Sequence, residues 1–294
     1  MLAFRSLTLL TVFISSLPGQ PAEKKGDGAK KEANPLSAIA WVEGPAKGAL
    51  RDEASIEIPK GFVFADAEGT KKFLEISQNI PSGNEYGMLA PKDLDWFAIY
   101  KYNASGYIKD DEKTNLDADA IMESLRKGNE GSNEERKRRG WETMEIVRWT
   151  QKPHFDDVTK NLEWATEARS ETGGVSMNHN TRVLGRNGYM SVILVGDVQG
   201  YASQLAVFRK SMTGFQYVPD KQYSAFRSGD KVAEYGLTAL IVGGTAAVAS
   251  KTGLLKGLWK LIVLAVAGVG AFLKSLFTGK KPEAVKGEDE AVSE

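Results

Sequence analysis

The 294-residue chain contains no cysteine. That excludes disulfides, thiolate catalysis, Cys-ligated zinc, iron–sulfur centres and a lipid carried on an N-terminal Cys. Only two histidines are present, His154 and His179, too few for a His-rich catalytic metal site. An excess of one charge is lacking as well, since 38 Lys+Arg balance 38 Asp+Glu. Nucleic acid is thereby set aside as the main partner, because phosphate binding leans on a positive excess. With 26% charged and 42% apolar residues, the chain is not a disordered, collagen-like or coiled-coil sequence. A Gly-x-Ser-x-Gly elbow, a phosphate loop ending in Gly-Lys-Ser/Thr and a dinucleotide Gly fingerprint are all missing. No catalytic residue, cofactor or metal ligand is therefore assigned from motif.

What is present is concentrated at the two ends. Arg5 precedes the uncharged run from Ser6 to Leu17, which Pro18-Gly19 closes. A charged start, a short apolar run and a breaker make the layout of a signal peptide. At about 1.5 Å per residue the run reaches roughly 18 Å, short of a ~30 Å bilayer core. A buried helix is the alternative. Gln20 and Pro21 fit the small-x-small cleavage pattern before Ala22 poorly, so the cleavage site stays open. Glu23 to Asn34 has no large apolar residue and reads as flexible linker.

Near the other end, 235–250 and 261–273 carry no charge. Each is below the roughly 20 residues of an upright span, but flanking lysines can snorkel and the bilayer can thin. Gly243, Gly244, Ala246, Ala247, Ala265, Ala267, Gly268 and Ala271 would let two backbones approach closely. A membrane hairpin is expected; a soluble helical hairpin or a single span with an interfacial segment are the alternatives. Lys251, Lys256 and Lys260 favour a cytoplasmic loop, against which Lys274, Lys280 and Lys281 then fall outside.

The chain thus divides into a signal peptide (1–22), a flexible linker (23–40), an exported α+β domain (41–234), a transmembrane hairpin (235–277) and a charged, disordered tail (278–294). Within the domain, Ser55 to Ile58 alternates as a strand, Phe62-Val63-Phe64 follows, and Asp66 caps a helix bearing Phe73, Ile76 and Ile80. Trp96 to Tyr102 is aromatic on both faces and reads as a central strand. Asp117 caps a helix with Ile121, Met122 and Leu125; Gly128 and Gly131 are expected to interrupt it before a second, charged helix over 134–139. Strands follow at 144–150 and 162–169, the latter with Glu163, Ala165, Glu167 and Arg169 on a wet face. A hairpin turns at Gly185-Arg186-Asn187-Gly188, a helix carries Tyr201, Leu205, Phe208 and Met212, and a last strand covers 215–218. Strands joined by tight turns, with helices at either end, predict an antiparallel α+β sheet packed by helices.

Candidate chemistry is sparse. Asp110, Asp111 and Glu112, with Asp117 and Asp119, offer oxygen ligands for a hard cation, but a solvated turn explains them better. Arg136 to Arg139 offers contacts for anionic lipid, although Glu134 and Glu135 make it a charged helix face. Trp96, Trp141, Trp149 and Trp164 line a groove or, more simply, fill a core. His154 and His179 are expected to be hydrogen-bonded surface residues.

The runs Tyr102 to Asp111, Asp117-Ala118-Asp119-Ala120, Leu162-Glu163-Trp164-Ala165 and Asn180 to Arg186 resemble a family of bacterial predicted membrane-anchored proteins built on a domain of unknown function. The Ile-Pro-x-Gly-Phe start and the late helix also resemble photosystem extrinsic-subunit P-like α+β folds. The first resemblance implies a signal peptide, C-terminal membrane segments and no established activity. The expected protein sits in the bacterial inner membrane with its main domain on the periplasmic side. Its partners would be the lipid bilayer, an envelope protein and, through the membrane segments, further copies of itself. Tyr107, Asp110, Asp111, Trp141 and Arg182 are the candidate surface residues of a binding or assembly domain. The rivals are a carboxylate hydrolase using residues among Asp110, Asp111, Glu163 and Glu167, and a scaffold acting through its hairpin.

Overall fold

The computed structural model describes residues 34–243. Its elements are β1 (Trp41–Glu43), β2 (Ala46–Leu50), β3 (Ala54–Ile58), β4 (Phe62–Asp66), α1 (Ala67–Ile76), β5 (Glu85–Pro91), β6 (Phe97–Asn103) and α2 (Ala118–Arg138). Then come β7 (Met144–Asp156), β8 (Asn161–Ser170), β9 (Val175–Leu184), β10 (Tyr189–Gly196), α3 (Tyr201–Met212), β11 (Gln216–Tyr217) and α4 (Leu237–Val242). An antiparallel sheet runs β1-β4-β5-β6-β10-β9-β8-β7, and a smaller one runs β11-β3-β2. The architecture is α+β, as the alternation of short strands predicts.

Two layers close the main sheet. On one face Phe64, Leu89, Tyr100, Met190, Val192 and Leu194 pack against Ile56 and Ile58 of the small sheet and Leu205 and Phe208 of α3. On the other face α1 places Phe73 and Leu74 over Met88, Phe97, Ile99 and Ile193. Farther along that second face, Ile121 and Leu125 of α2 and Leu237, Leu240 and Ile241 of α4 cover Ile146, Leu162, Trp164 and Leu184. The two apolar clusters of the second face are separated by a polar band, which holds the site described below.

Local signals account for most boundaries. The Asp66 carboxylate accepts from the Gly69 amide at 2.8 Å and starts α1. That helix stops at Ile76 rather than reaching Ile80, with Ser77 as its C-cap and Gln78 in the left-handed region. Asp117 accepts from the Asp119 and Ala120 amides at 3.1 and 3.0 Å and starts α2.

Four expectations are corrected. Gly128 and Gly131 do not interrupt α2, which is one helix of 21 residues. Each glycine weakens the helix by roughly 1 kcal/mol relative to alanine, but both face open space, and polar anchors outweigh them. Arg126 donates to the Ile146 carbonyl at 3.1 Å, while Asn133 both accepts from the Met144 amide and donates to its carbonyl at 2.8 Å. These side chains also cover part of the exposed edge of β7. Second, the expected wet face of 162–169 is only partly wet: Arg169 is exposed and Glu163 half-buried, while Ala165 and Glu167 are buried, with Arg209 of α3 over Glu163 and Arg148 of β7 over Glu167. Third, His179 lies on that strand's neighbour with 0% exposure. Fourth, residues 34–40 are ordered. Pro35–Ala38 forms a 3-10 turn, the Trp41 indole donates to the Leu36 carbonyl at 3.3 Å, and Ile39 is buried.

Of the stretch expected to enter the membrane, residues 235–243 are described. Leu237–Val242 is a six-residue helix whose Leu237, Ala239, Leu240 and Ile241 are buried, ended by Gly243 in the left-handed region. Among the described residues no helix is long and apolar enough to cross a membrane. The signal peptide, the rest of both apolar stretches and the acidic tail lie outside the described residues.

Candidate functional site

The polar band arises from strand register. Glu85 on β5 pairs with Lys101 on β6, Lys101 with Ser191 on β10, and Ser191 with Arg182 on β9. Four consecutive strands therefore present Glu85, Lys101, Ser191 and Arg182 in one row on the second face. Asn180 and Asn178 continue the polar series along β9, and Thr166 lies opposite Asn178 on β8. A cavity of about 90 Å³, several water molecules' worth, opens over this band. Its polar wall is Lys101, Thr166, Asn178, Asn180, Arg182 and Ser191. Leu125 from α2, Ile146 from β7, Trp164 from β8, and Leu240 and Ile241 from α4 supply apolar wall.

Ser82 and Asn84, from the loop before β5, also line it. That loop is folded onto Glu85, whose carboxylate accepts from the Ser82 amide at 2.6 Å and from the Gly83 amide at 2.8 Å. Gly83 has a φ of +83°, which lets the turn close without Cβ strain. Asn84 donates to the Tyr102 carbonyl at 3.1 Å and so ties the loop to β6.

Two cations occupy this interior. Lys101 is 5% exposed and stands 3.6 Å from the Glu85 carboxylate. Burial pulls its ammonium down to about 8, with Glu85 acting in the opposite sense and Arg182 adding to the depression. Burial pushes the Glu85 carboxyl upward, but Lys101 and the Ser82 donors outweigh it and hold the group below its ordinary value. Arg182 is 8% exposed. Its Nε donates to the Leu240 carbonyl at 3.3 Å, and its guanidinium lies 4.5 Å from the Trp164 ring and 5.9 Å from the Tyr189 ring. Burial lowers it to about 10, so it remains a cation at neutral pH. No carboxylate pairs with it among the described residues, and its buried Nη1 has no hydrogen-bond partner there. Asn178 lines the same cavity, and its Oδ1 is likewise buried and without a partner.

A second polar cluster sits on the opposite face of β8 and β9. His179 Nδ1 is 3.0 Å from the Tyr201 hydroxyl, and its Nε2 is 3.6 Å from Glu163. Arg209 holds the same Glu163 oxygen at 3.0 Å, and His154 stands 4.0 Å from it. Burial, helped by Arg209 and His154, lowers His179 to about 3, so the ring is neutral at physiological pH. The unfolded chain takes up that proton near 6.5, whereas the native state resists it until about pH 3. Stability conferred by the neutral ring is therefore present above pH 6.5 and falls with pH below it, by up to about 1.4 kcal/mol per unit. Thermal melts between pH 7 and 4 should show that slope, and His179→Leu should flatten it.

Of the five candidate surface residues, only Arg182 lines the cavity, and it does so as a buried residue rather than a surface one, while Trp164, weighed as a groove or core residue, lines it too. Tyr107 stacks on Tyr223 at 4.5 Å and on Phe226 at 4.2 Å, away from the cavity lining. Asp110 pairs with Lys160 at 3.5 Å, and Asp111 is exposed in the following turn. Trp141 is half-buried under Arg139, 5.0 Å above its ring. No cluster of three or more His, Asp or Glu set to hold a metal ion occurs among the described residues. Lys101 and Asn178 were missed; a lone lysine inside the aromatic run 96–102 was the available signal.

The family described as "Protein of unknown function (DUF2167)" matches residues 42–273. The chain belongs to this family. The DUF2167 match takes in all of the main sheet but Trp41, the cavity and α4, and runs on through the second apolar stretch. No curated protein matches the chain. Among solved structures, the solution structure of cyanobacterial PsbP (CyanoP) from Synechocystis sp. PCC 6803 is similar at a TM-score of 0.35 and 13% identity. That likeness covers 65% of this DUF2167 chain and 98% of the cyanobacterial one.

Proposed function

We propose that the chain is a membrane-anchored protein of the bacterial envelope whose folded domain faces the extracytoplasmic side and binds a small anion at Arg182. The observation that carries the binding half is a buried guanidinium with, among the described residues, no carboxylate partner and an unpartnered Nη1, on a residue that lines a polar cavity. An uncompensated buried cation destabilises a fold by several kcal/mol, and an anionic ligand turns that cost into affinity. The anchor rests on the N-terminal charged-then-apolar run and the uncharged residues 244–250 and 261–273, since 237–242 packs into the domain core. Its partners are the lipid bilayer and, in this reading, an envelope protein or a second copy.

Site and anchor are adjacent in the chain. α4 supplies Leu240 and Ile241 to the cavity wall and the carbonyl that holds Arg182, and the uncharged stretch continues directly from it. The domain is read as a binding module rather than a hydrolase, since Asp110, Asp111, Glu163 and Glu167 all stand outside the cavity lining. Isothermal titration of the full-length protein in detergent with acetate and propionate tests the site. Saturable heat that Arg182→Met removes is expected, and absence of heat with either acid contradicts the reading. Carbonate washing of membranes tests the anchor: retention is expected, and release into the supernatant contradicts it.

A further inference from the structure

Resting on that cavity reading, we infer that the ligand is a short hydroxy acid, its carboxylate on Arg182 and its hydroxyl donating to Asn178. Three observations select this class among small anions. The first is charge. Lys101 is matched by Glu85 at 3.6 Å, which leaves the single positive charge of Arg182 to be met, and that calls for a monoanion. A zwitterionic amino acid brings its own cation into a cavity that already has one to spare.

The second is the pair of buried polar atoms without partners. Arg182 Nη1 is a donor and Asn178 Oδ1 an acceptor, and both residues line the same cavity. A simple carboxylate satisfies only the donor, whereas a ligand with an acid at one end and an O–H at the other satisfies both. The two residues lie four positions apart on one face of β9, roughly 13 Å along the strand, and the Arg182 guanidinium lies 4.5 Å from the ring of Trp164, the register partner of the intervening Asn180. The third is the wall between them: Trp164, Leu240 and Ile241 offer contact to carbon, which suits a short aliphatic chain.

The test is titration calorimetry on the full-length protein in detergent, with glycolate against acetate, 3-hydroxypropionate against propionate and 4-hydroxybutyrate against butyrate. At one chain length the hydroxyl is expected to tighten binding roughly ten- to a hundredfold, as expected when a buried acceptor gains its donor. Asn178→Leu should erase that preference, bringing each hydroxy acid to about the affinity of its own alkanoate. The ligand panel on the unaltered protein decides the matter even where that variant folds poorly. Alkanoates binding as tightly as their hydroxy counterparts overturn the ligand class while the cavity reading stands. Tighter binding of β-alanine or γ-aminobutyrate than of the matched hydroxy acid also overturns it. If no acid binds, both readings fall.

Discussion

Arg182→Met is expected to abolish binding of small acids and, at the same time, to raise the melting temperature by roughly 2–8 °C. The two effects share one cause. Burial lowers the Arg182 guanidinium from 12.5 to about 10, a depression that corresponds to about 3 kcal/mol held against the folded state. Methionine fills a similar volume without charge. It forfeits the bond to the Leu240 carbonyl and the stacking on Trp164, each worth about 1 kcal/mol. The remainder, about 1–2 kcal/mol of stabilisation, converts at 2–4 °C per kcal/mol for a domain of this size. A residue kept only for structure shows the opposite sign. Differential scanning calorimetry of the two proteins in the same detergent gives the answer, and a drop in melting temperature counts against a functional charge at this position.

Glu85→Gln is expected to have the largest destabilising effect, about 3–5 kcal/mol and roughly 10 °C. Removing one partner of a buried ion pair leaves the other uncompensated. Here that leaves Lys101 facing Arg182 across one intervening strand with no anion in the row. The effect has a defined pH dependence. Lys101 already sits near 8, and loss of Glu85 lowers it further. The penalty should be greatest below that value, where the ammonium is charged, and should shrink as pH rises and the amine becomes neutral. Adding Lys101→Met to Glu85→Gln should recover most of the loss. Equal destabilisation across pH 6–9 would contradict the ion-pair account and point to the Ser82–Gly83 loop instead.

The elements were largely legible in the sequence because they are written locally. Asp66 and Asp117 announce helix starts, Gly185 to Gly188 announces a hairpin, and Ile56 and Ile58 alternate as an inward-facing strand. The site was not legible because it is made by register across four strands. Ser176, Asn178, Asn180 and Arg182 are polar at a period of two, which by itself describes a solvent-facing side. Only the strand order, with β9 between β8 and β10 and with α2 and α4 above, turns that side inward. His179 was misplaced for the same reason, since its strand is interior and α3 brings Tyr201 and Phe208 over it. Lys101 carried a usable hint, because a lysine within a strand as apolar as 96–102 has to find a buried partner. The continuous α2 illustrates the converse case. Gly128 and Gly131 weaken the helix locally, and contacts to β7 that no local pattern encodes hold it together.

The most direct test of an anion seat at Arg182 is nuclear magnetic resonance of the full-length protein carrying isotope-labelled arginine, titrated with 4-hydroxybutyrate. The account predicts that the guanidinium signals of Arg182 alone shift and saturate, and that those of surface arginines such as Arg138 and Arg148 follow only ionic strength. Uniform, unsaturating shifts across all arginines would contradict it.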